Sequence, residues 1–215
     1  MIAENRNNDR LGLGLEEMPA SVEIHPEPDL TAAERAASDL LRALGEDPSR
    51  EGMVGTPRRM AKALAEMMKG RSADIGGILS RRFKQERGQV VILRDIGFSS
   101  LCEHHLLPFI GHAHVAYLPS ADEVVGLSKL ARVVEAFARR PQIQERMTNQ
   151  IADAIQEHLR PEGVAVIVRG EHFCMKMRGV NKSGSIMQTM ALHGRFRDEP
   201  DLRSEILSLL TGGFM

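Results

Sequence analysis

One four-residue stretch, Cys102-Glu103-His104-His105, restricts the possible folds of this chain more than any other feature of its sequence. Thiolate and imidazole are the ligands that zinc prefers, and Cys102 and His105 stand three residues apart. In a single turn of helix that spacing places both side chains on one face and turns His104 elsewhere. The only other cysteine, Cys174, lies far downstream. If the motif binds metal, the fold must bring two distant segments together.

The downstream cysteine belongs to a His-x-Cys motif that could complete such a site. In a strand, residues two apart share a face, so His172 and Cys174 are expected to point the same way. Cys102, His105 and Cys174 would then leave a fourth position for water, the pattern of catalytic zinc. His104 and His172 would remain as imidazoles beside the metal, suited to moving protons near pH 7. The competing interpretation is two unrelated buried thiols and histidines with structural hydrogen bonds.

A second cluster, Gly126–Arg132, combines a predicted helix start with two cations. Backbone N–H groups at a helix N-terminus favour an anion, and Lys129 and Arg132 lie three residues apart on one face. Arg178 and Arg59 could join them. Each of these side chains alone is more often a solvated charge. Together, in a chain with a net charge of −1, they predict a polyphosphate site.

Two further motifs carry weaker signals. Gln144 and Glu145 form an adjacent amide and carboxylate that could pair with the donor edge of a guanine-like ring, although such pairs at helix starts are usually caps or solvent-facing. His112 and His114 share one face of a predicted strand. No third ligand accompanies these two histidines, so a metal role for them is not favoured.

Composition excludes several classes of protein. The net charge of −1 and the aromatic content of 4%, without Trp, argue against a nucleic-acid or anionic-membrane surface. Two cysteines are too few for a disulfide scaffold and suit a metal site in a reducing compartment. The first ten residues lack an apolar signal region, and no apolar run is long enough to span a membrane. The sequence predicts a cytoplasmic protein.

Hydrophobic spacing predicts an α+β fold with an antiparallel sheet. The predicted helices cover residues 31–44, 56–70, 128–139, 142–159 and 198–210. A capping box, Thr31–Glu34, marks the first helix start. The predicted strands cover 89–98, 112–118, 163–168, 171–177 and 186–192, with a turn at Arg169-Gly170 between the third and fourth. Three regions follow: a mobile arm over 1–29, an N-terminal helical region over 30–75 and a catalytic domain over 76–215.

With these residues assembled, the sequence closely resembles GTP cyclohydrolase I of the zinc-dependent type. The resemblance runs from about Thr56 to Arg197 and leaves residues 1–30 outside. Several long motifs match in order, which is far more specific than any one of them. These motifs are Cys102–His105, Val125–Leu130, Arg139–Arg146, His172–Cys174 and Met177–Val180.

The resemblance implies a tunnelling fold (T-fold), with an antiparallel sheet, helices on one face and an N-terminal helical extension. Sheets from several subunits would close into a barrel, and two pentamers would stack as a homodecamer. The sites would lie between subunits, so Arg59 and the guanine-binding residues can come from different chains than the zinc ligands. The implied reaction hydrates C8 of GTP, releases formate and forms 7,8-dihydroneopterin triphosphate, the first step of folate and pterin biosynthesis.

The resemblance also assigns roles to the metal-site residues. Cys102, His105 and Cys174 would be the zinc ligands, and zinc would activate the water that attacks C8. His172 would protonate N7 of the base. His104 would shuttle protons during ring opening and later steps.

The remaining roles concern the substrate. Gln144 and Glu145 would hold the guanine edge, with Glu145 accepting from N1–H and the exocyclic amine, and Ser128 would lie near the ribose. The triphosphate would be bound by Lys129, Arg132, Arg178 and Arg59. One residue departs from the family pattern: Met187 stands where a hydroxyl is expected, which leaves Ser185 and Thr189 as possible polar contacts.

The main alternative is a non-catalytic oligomeric module that binds nucleotides and holds zinc structurally. It needs a fourth protein ligand, for which His104 or His172 is the candidate. Two other reactions on the same fold fit poorly: nitrile reduction does not need Cys-x-His-His, and zinc-independent ring opening does not need both thiolates. A zinc nucleobase deaminase is disfavoured because no Cys-x-x-Cys follows a His-x-Glu.

Overall fold

The computed structural model describes residues 27–85 and 89–212, so the predicted arm over 1–29 lies almost entirely outside the described residues. The strands in these ranges are β1 (Arg82–Lys84), β2 (Val91–Cys102), β3 (Pro108–Leu118), β4 (Glu123–Val125), β5 (Pro141–Gln142), β6 (Gly163–His172) and β7 (Met187–Gly194). The helices are α1 (Leu30–Ala43), α2 (Thr56–Met67), a 3-10 turn (Lys69–Ser72), α3 (Ile75–Leu79), α4 (Leu127–Ala138), α5 (Gln144–Leu159), α6 (Phe173–Lys176), α7 (Arg195–Asp198) and α8 (Pro200–Thr211). Among these described helices, none is both long and apolar enough to cross a membrane.

A five-stranded sheet in the order β5-β2-β3-β6-β7 forms the centre of the fold. All its neighbours pair antiparallel except β5, which adds a short parallel pair to the end of β2. A second, two-stranded sheet joins β1 and β4. The predicted α+β class with an antiparallel sheet is confirmed.

Strand alternation sends neighbouring residues of the sheet into two separate cores. Val115 and Val166 face a core that includes α4 and α5, which supply the fully buried Leu130 and Ile151. This is the predicted helical layer on one face. Ala116, next to Val115, faces the other side, where α8 packs over one end of the sheet. The cysteine-bearing end of the sheet is therefore backed by α4 and α5.

The N-terminal helices α1 and α2 pack against each other ahead of the sheet, as the predicted helical extension requires. Pro57 lies in the first turn of α2, as predicted. The predicted cap of α1 is wrong: the Asp29 carboxylate, not Thr31, accepts from the N–H of Ala32 at 2.9 Å, and the helix begins at Leu30. The boundaries proposed between arm, helical region and catalytic domain stay a prediction.

The predicted turn at Arg169-Gly170 is also wrong, because β6 runs without interruption from Gly163 to His172. Gly170 pairs with Gly111 of β3 on one side and with Met187 of β7 on the other. A Cβ on Gly170 would lie 2.6 Å from Oε1 of Gln144. Glycine is needed here for close approach of a side chain from α5, not for a turn.

Candidate metal centre

The two cysteines of the chain meet at one end of the five-stranded sheet. Cys102 is the last residue of β2 and is buried. Cys174 is half-buried and lies in α6, the one-turn helix that follows β6. The predicted strand over 171–177 is therefore wrong beyond His172, where the chain turns into α6. The convergence of the two distant segments is confirmed.

The separation of the two sulfur atoms fits a tetrahedral metal ion. The Sγ atoms of Cys102 and Cys174 lie 3.8 Å apart, and both cysteines are free. Two sulfurs held at about 2.3 Å with tetrahedral angles around zinc would be separated by about 3.8 Å. Burial raises the pKa of the Cys174 thiol, and its contact with Cys102 raises it further. A divalent cation would favour both thiolates and reverse this effect.

His172 supplies the imidazole of this group. One of its ring nitrogens and the two sulfur atoms lie within 4.8 Å of one another. The ring stacks on Phe109 with centroids 4.6 Å apart and planes 3° from parallel. Burial lowers the pKa of His172, and the nearby Glu145 carboxylate partly opposes this effect. The lowered pKa favours a neutral imidazole at pH 7.

The turn that follows Cys102 places its histidines differently from the prediction. The N–H groups of His105 and Leu106 both bond to the carbonyl of Cys102, and Leu106 then takes a φ of 53°, which ends the turn. Nδ1 of His104 lies 3.9 Å from Sγ of Cys102, so the expectation that His104 turns away is wrong. Nε2 of His105 accepts a hydrogen bond from Arg178 at 3.1 Å. His105 lies outside the three-residue group, and its role as a ligand stays a prediction.

Helix α5 brings the predicted guanine-binding pair to the same end of the sheet. Glu145, in its first turn, is exposed. Gln144 is only 1% exposed, and its amide oxygen lies 2.9 Å from Nε2 of His172. Gln144 and Glu145 therefore lie at the same end of the sheet as the thiols of their own chain. The resemblance had left open that this pair comes from a different subunit.

The Gly126–Arg132 cluster lies at the opposite end of the sheet from the thiols. Val125, just before it, donates its N–H to the hydroxyl of Tyr117 at 3.0 Å. Tyr117 lies at one end of the β2–β3 ladder and Cys102 at the other. At about 3.3 Å per residue the strand separates these ends by roughly 30 Å. One chain therefore does not bring its own thiols together with Ser128, Lys129 and Arg132.

The two other predicted cations also lie apart. Arg178 is at the thiol end, where it donates to His105 and to the carbonyl of Cys174 at 3.5 Å. Arg59 is exposed. Within the described part of the chain, its guanidinium donates to the carbonyl of Gly52 and to the hydroxyl of Thr56. The structure thus places Arg178 at the thiol end and the start of α4 at the other end of the sheet, whereas the hydrogen bonds of Arg59 are local to its own segment.

Sequence reasoning missed Phe109 and Thr148, which support the site. Thr148 lies one helical turn after Gln144, a spacing that could have indicated a shared face. Thr189, predicted as a possible polar contact, bonds to both Gln144 and Thr148. Met187 contacts Gln144 through its backbone carbonyl, so the loss of a hydroxyl at this position does not affect that bond.

The fold and this site together define an α+β protein with two free thiols and an imidazole at the end of an antiparallel sheet, a group that could hold a metal ion. The chain belongs to the GTP cyclohydrolase I family, whose model matches residues 33–211.

Relatives named GTP cyclohydrolase 1 resemble this chain over most of its length. The protein of Rhodopirellula baltica is 50% identical over 186 residues, which cover 86% of this chain and 81% of the relative. That of Streptococcus thermophilus is 52% identical, covering 82% and 95%, and that of Geobacillus kaustophilus is 51% identical, covering 86% and 98%. A crystal structure of the archaeosine synthase QueF-Like in the apo form overlaps 51% of this chain and 97% of its own, with a TM-score of 0.42 and 17% identity.

Proposed function

We propose that this chain is a zinc-dependent GTP cyclohydrolase I. It opens the imidazole ring of GTP, releases formate and forms 7,8-dihydroneopterin triphosphate for folate or pterin biosynthesis. The observation that carries this proposal is the group of Cys102, His172 and Cys174 in a chain 50% identical to a named GTP cyclohydrolase over 86% of its length. Two thiols and an imidazole in one cluster match the chemistry that the family requires.

The proposed metal ligands are Cys102, Cys174 and His105. The 3.8 Å separation of the sulfur atoms supports the thiol pair. His105 follows Cys102 in the same turn. It would become the third ligand if its Nε2 bound the metal in place of the hydrogen bond from Arg178. When bound, zinc supplies an acidified water suited to hydrating C8 at neutral pH. Three protein ligands leave room for that water.

The proposed proton carriers are His172 and His104. His172 would take a proton from the attacking water and pass it to N7 of the base, and the position of its ring between Phe109 and Gln144 limits the direction of transfer. His104 lies on the exposed turn beside Cys102, where it can exchange protons with solvent. An imidazole is the side chain whose ordinary pKa suits this task near pH 7.

The guanine edge is proposed to bind at the start of α5. The exposed Glu145 carboxylate would accept from N1–H and the exocyclic amine. The side chain of Gln144 is buried, so its direct contribution to the base would come from its backbone N–H, one of the first-turn groups that have no partner within the helix.

The triphosphate is proposed to bind Lys129, Arg132, Arg178 and Arg59, with Ser128 near the ribose. The first turn of α4 adds backbone N–H groups, since its N-cap Gly126 supplies no side-chain bond. Because α4 begins at the opposite end of the sheet from the thiols of its own chain, a neighbouring copy would supply this cluster. This separation supports a homo-oligomer, a decamer in the family arrangement, with sites between subunits.

The proposed location is the cytoplasm, because two free cysteines at 3.8 Å stay available for metal only in a reducing compartment. Neither a nucleic acid nor a membrane is proposed as a partner.

The test is incubation of the purified, zinc-loaded protein with GTP. Formate release and the pterin fluorescence that appears after oxidation are expected together. ATP is the control substrate, because adenine has no hydrogen on N1 and carries its exocyclic amine at C6, not at C2 where Glu145 would recognise it. A folded, zinc-loaded protein that releases no formate from GTP contradicts the proposal.

The structural-zinc alternative is separated from this proposal by replacing zinc with cobalt. The absorption spectrum of cobalt responds to its coordination, so an exchangeable water at the fourth position supports the enzyme. A closed shell of four protein ligands supports the non-catalytic nucleotide-binding module.

A further inference from the structure

The buried amide of Gln144 is held in one orientation. Its Nε2 lies 3.1 Å from the carbonyl of Val168, 3.2 Å from that of Met187 and 3.1 Å from Oγ1 of Thr189. Carbonyl oxygens only accept hydrogen bonds, so the NH₂ group must face them and the amide oxygen must face the other way. The reversed amide would set its oxygen against two carbonyls in a site that is 1% exposed.

The hydrogen bonds of Thr148 and Thr189 agree with this orientation of the Gln144 amide. The hydroxyl of Thr148 donates to the carbonyl of Gln144 at 2.7 Å, which uses its only hydrogen. In the 2.6 Å contact between the two hydroxyls, Thr189 must therefore be the donor. Its lone pairs remain free to accept from Nε2 of Gln144. The hydroxyl hydrogens of Thr148 and Thr189 are thereby assigned, and the two hydrogens of the Gln144 amide are shared among three acceptors.

The orientation of Gln144 decides which nitrogen of His172 carries hydrogen. Oε1 of Gln144 can only accept, and it lies 2.9 Å from Nε2 of His172. Nε2 must therefore carry a hydrogen in both the neutral ring and the imidazolium. Phe109, stacked 4.6 Å from the ring, opposes rotation of the imidazole out of this contact. Nδ1 is then the ring nitrogen that makes no contact with Gln144.

We propose that Gln144 is a positioning residue that holds the ring of His172 in one orientation, with Nε2–H donating to the amide oxygen and Nδ1 on the side of the ring away from Gln144. This inference rests on the proposed function for its kinetic consequence, whereas the tautomer itself does not depend on it. It gives the buried amide a role separate from substrate contact: Gln144 acts through His172, and Glu145 contacts the base.

The kinetic test compares Gln144→Met with Gln142→Met. Gln142 is also 1% exposed and bonds to the carbonyl of Phe137 and the amide of Gln150, away from His172. It therefore controls for loss of a buried glutamine amide. In Gln144→Met, kcat is expected to fall about 10- to 100-fold, the usual effect of losing such a supporting contact, with KM for GTP unchanged. Gln142→Met should keep kcat near the wild-type value.

A raised KM with kcat retained in Gln144→Met would show a substrate contact instead and overturn the inference. Equal losses of kcat in the two variants would show a general packing effect and also overturn it. Absence of formate release by the wild-type protein would instead reject the proposed function.

A spectroscopic test is independent of activity and of the two glutamine variants. Solid-state NMR of the intact protein labelled with ¹⁵N at its 8 histidines distinguishes protonated from unprotonated ring nitrogens. The signals that disappear in His172→Asn belong to His172. A protonated Nε2 above and below neutral pH is expected. An unprotonated Nε2 at either pH overturns the inference.

Discussion

The sulfur atoms of Cys102, at the end of β2, and Cys174, in the helix that follows β6, lie 3.8 Å apart although β3 separates the two strands. A disulfide would bring them to about 2.0 Å, so the two thiols are not bonded to each other. The distance fits both a direct thiol–thiol contact and two ligands of one tetrahedral ion, and the two cases differ in how the thiols react when metal is removed.

Thiol reactivity tests this pair directly, because the chain has 2 cysteines and both belong to the site. In the zinc-loaded protein, neither thiol is expected to react readily with a disulfide reagent such as DTNB. After removal of zinc by a chelator, both should react, and metal analysis should show the loss of about one zinc per chain. Cys174→Ser should bind zinc at least tenfold more weakly. Equal reactivity before and after chelation would contradict a shared metal.

The third ligand is decided by comparing His105→Ala with His172→Ala. If His105 binds zinc, its removal should lower the zinc content, while His172→Ala should retain zinc and lose turnover. The reverse pattern would place His172 in the metal shell, as its distance of less than 4.8 Å from both sulfurs permits. Zinc content by mass spectrometry and formate release are measured on the same preparations, with far-UV circular dichroism as the control for folding.

The sequence predicted those features that are encoded locally. The 3.6-residue spacing that predicted α4 and α5 is confirmed to within about two residues, because each helix buries one continuous face. The convergence of Cys102 with Cys174 could be predicted because thiols are rare in this chain.

Features that depend on contacts between distant residues were missed. Gly170 looked like a turn residue, yet it makes room for Gln144, which approaches from another element. Helix α6 has four residues, too few to show a period. The clamp of Phe109 and Gln144 around His172 joins three separate elements. Spacing also could not show that the α4 cluster lies far from the thiols.

Substitution of Gly170 by alanine should disturb the site without removing the metal. The added Cβ would lie 2.6 Å from Oε1 of Gln144, so the amide must move away from His172. We expect kcat to fall roughly tenfold, as for loss of a supporting hydrogen bond, with zinc retained. Gly97→Ala, in β2, is the control, since nothing lies within 4 Å of its added Cβ. Equal activity of the two variants would contradict this role of Gly170.

The buried histidine of the His112-x-His114 motif predicts a pH dependence of stability. His114 is 7% exposed, and its Nδ1 accepts the N–H of Asp95 at 3.2 Å. Burial lowers the pKa of His114; Asp95 opposes this, whereas Arg94, His112 and Arg169 add to it. The unfolded state therefore binds more protons below about pH 6.5, so this histidine's contribution to stability is present above that pH and is lost as the pH falls.

The comparison is between the wild type and His114→Asn, whose side-chain oxygen can still accept from Asp95. The thermal midpoint of the wild type should fall as the pH is lowered from about 7.5 to 5.5, and that of the variant should fall less. Both proteins are measured at one concentration, since subunit association also shifts the midpoint. Identical slopes would assign the pH dependence to other groups.

Separation of the α4 cluster from the thiols predicts that two inactive variants restore activity when mixed. Cys174→Ser lacks the metal half of each site, and Arg132→Ala weakens the triphosphate half. Since α4 begins at the opposite end of the sheet from the thiols, the proposed site combines the two halves from two copies. In an oligomer assembled at random from equal amounts, about a quarter of the sites should contain both intact halves.

The mixing experiment uses co-expression of the two variants with different affinity tags, followed by purification on both tags and measurement of formate release. Activity well above that of either variant alone is expected in the mixed oligomer. Cys102→Ser mixed with Cys174→Ser is the matched control, because both changes lie in the metal half and no combination of these chains restores it. A mixture of Cys174→Ser and Arg132→Ala that stays as inactive as this control would place both halves of the site in one chain.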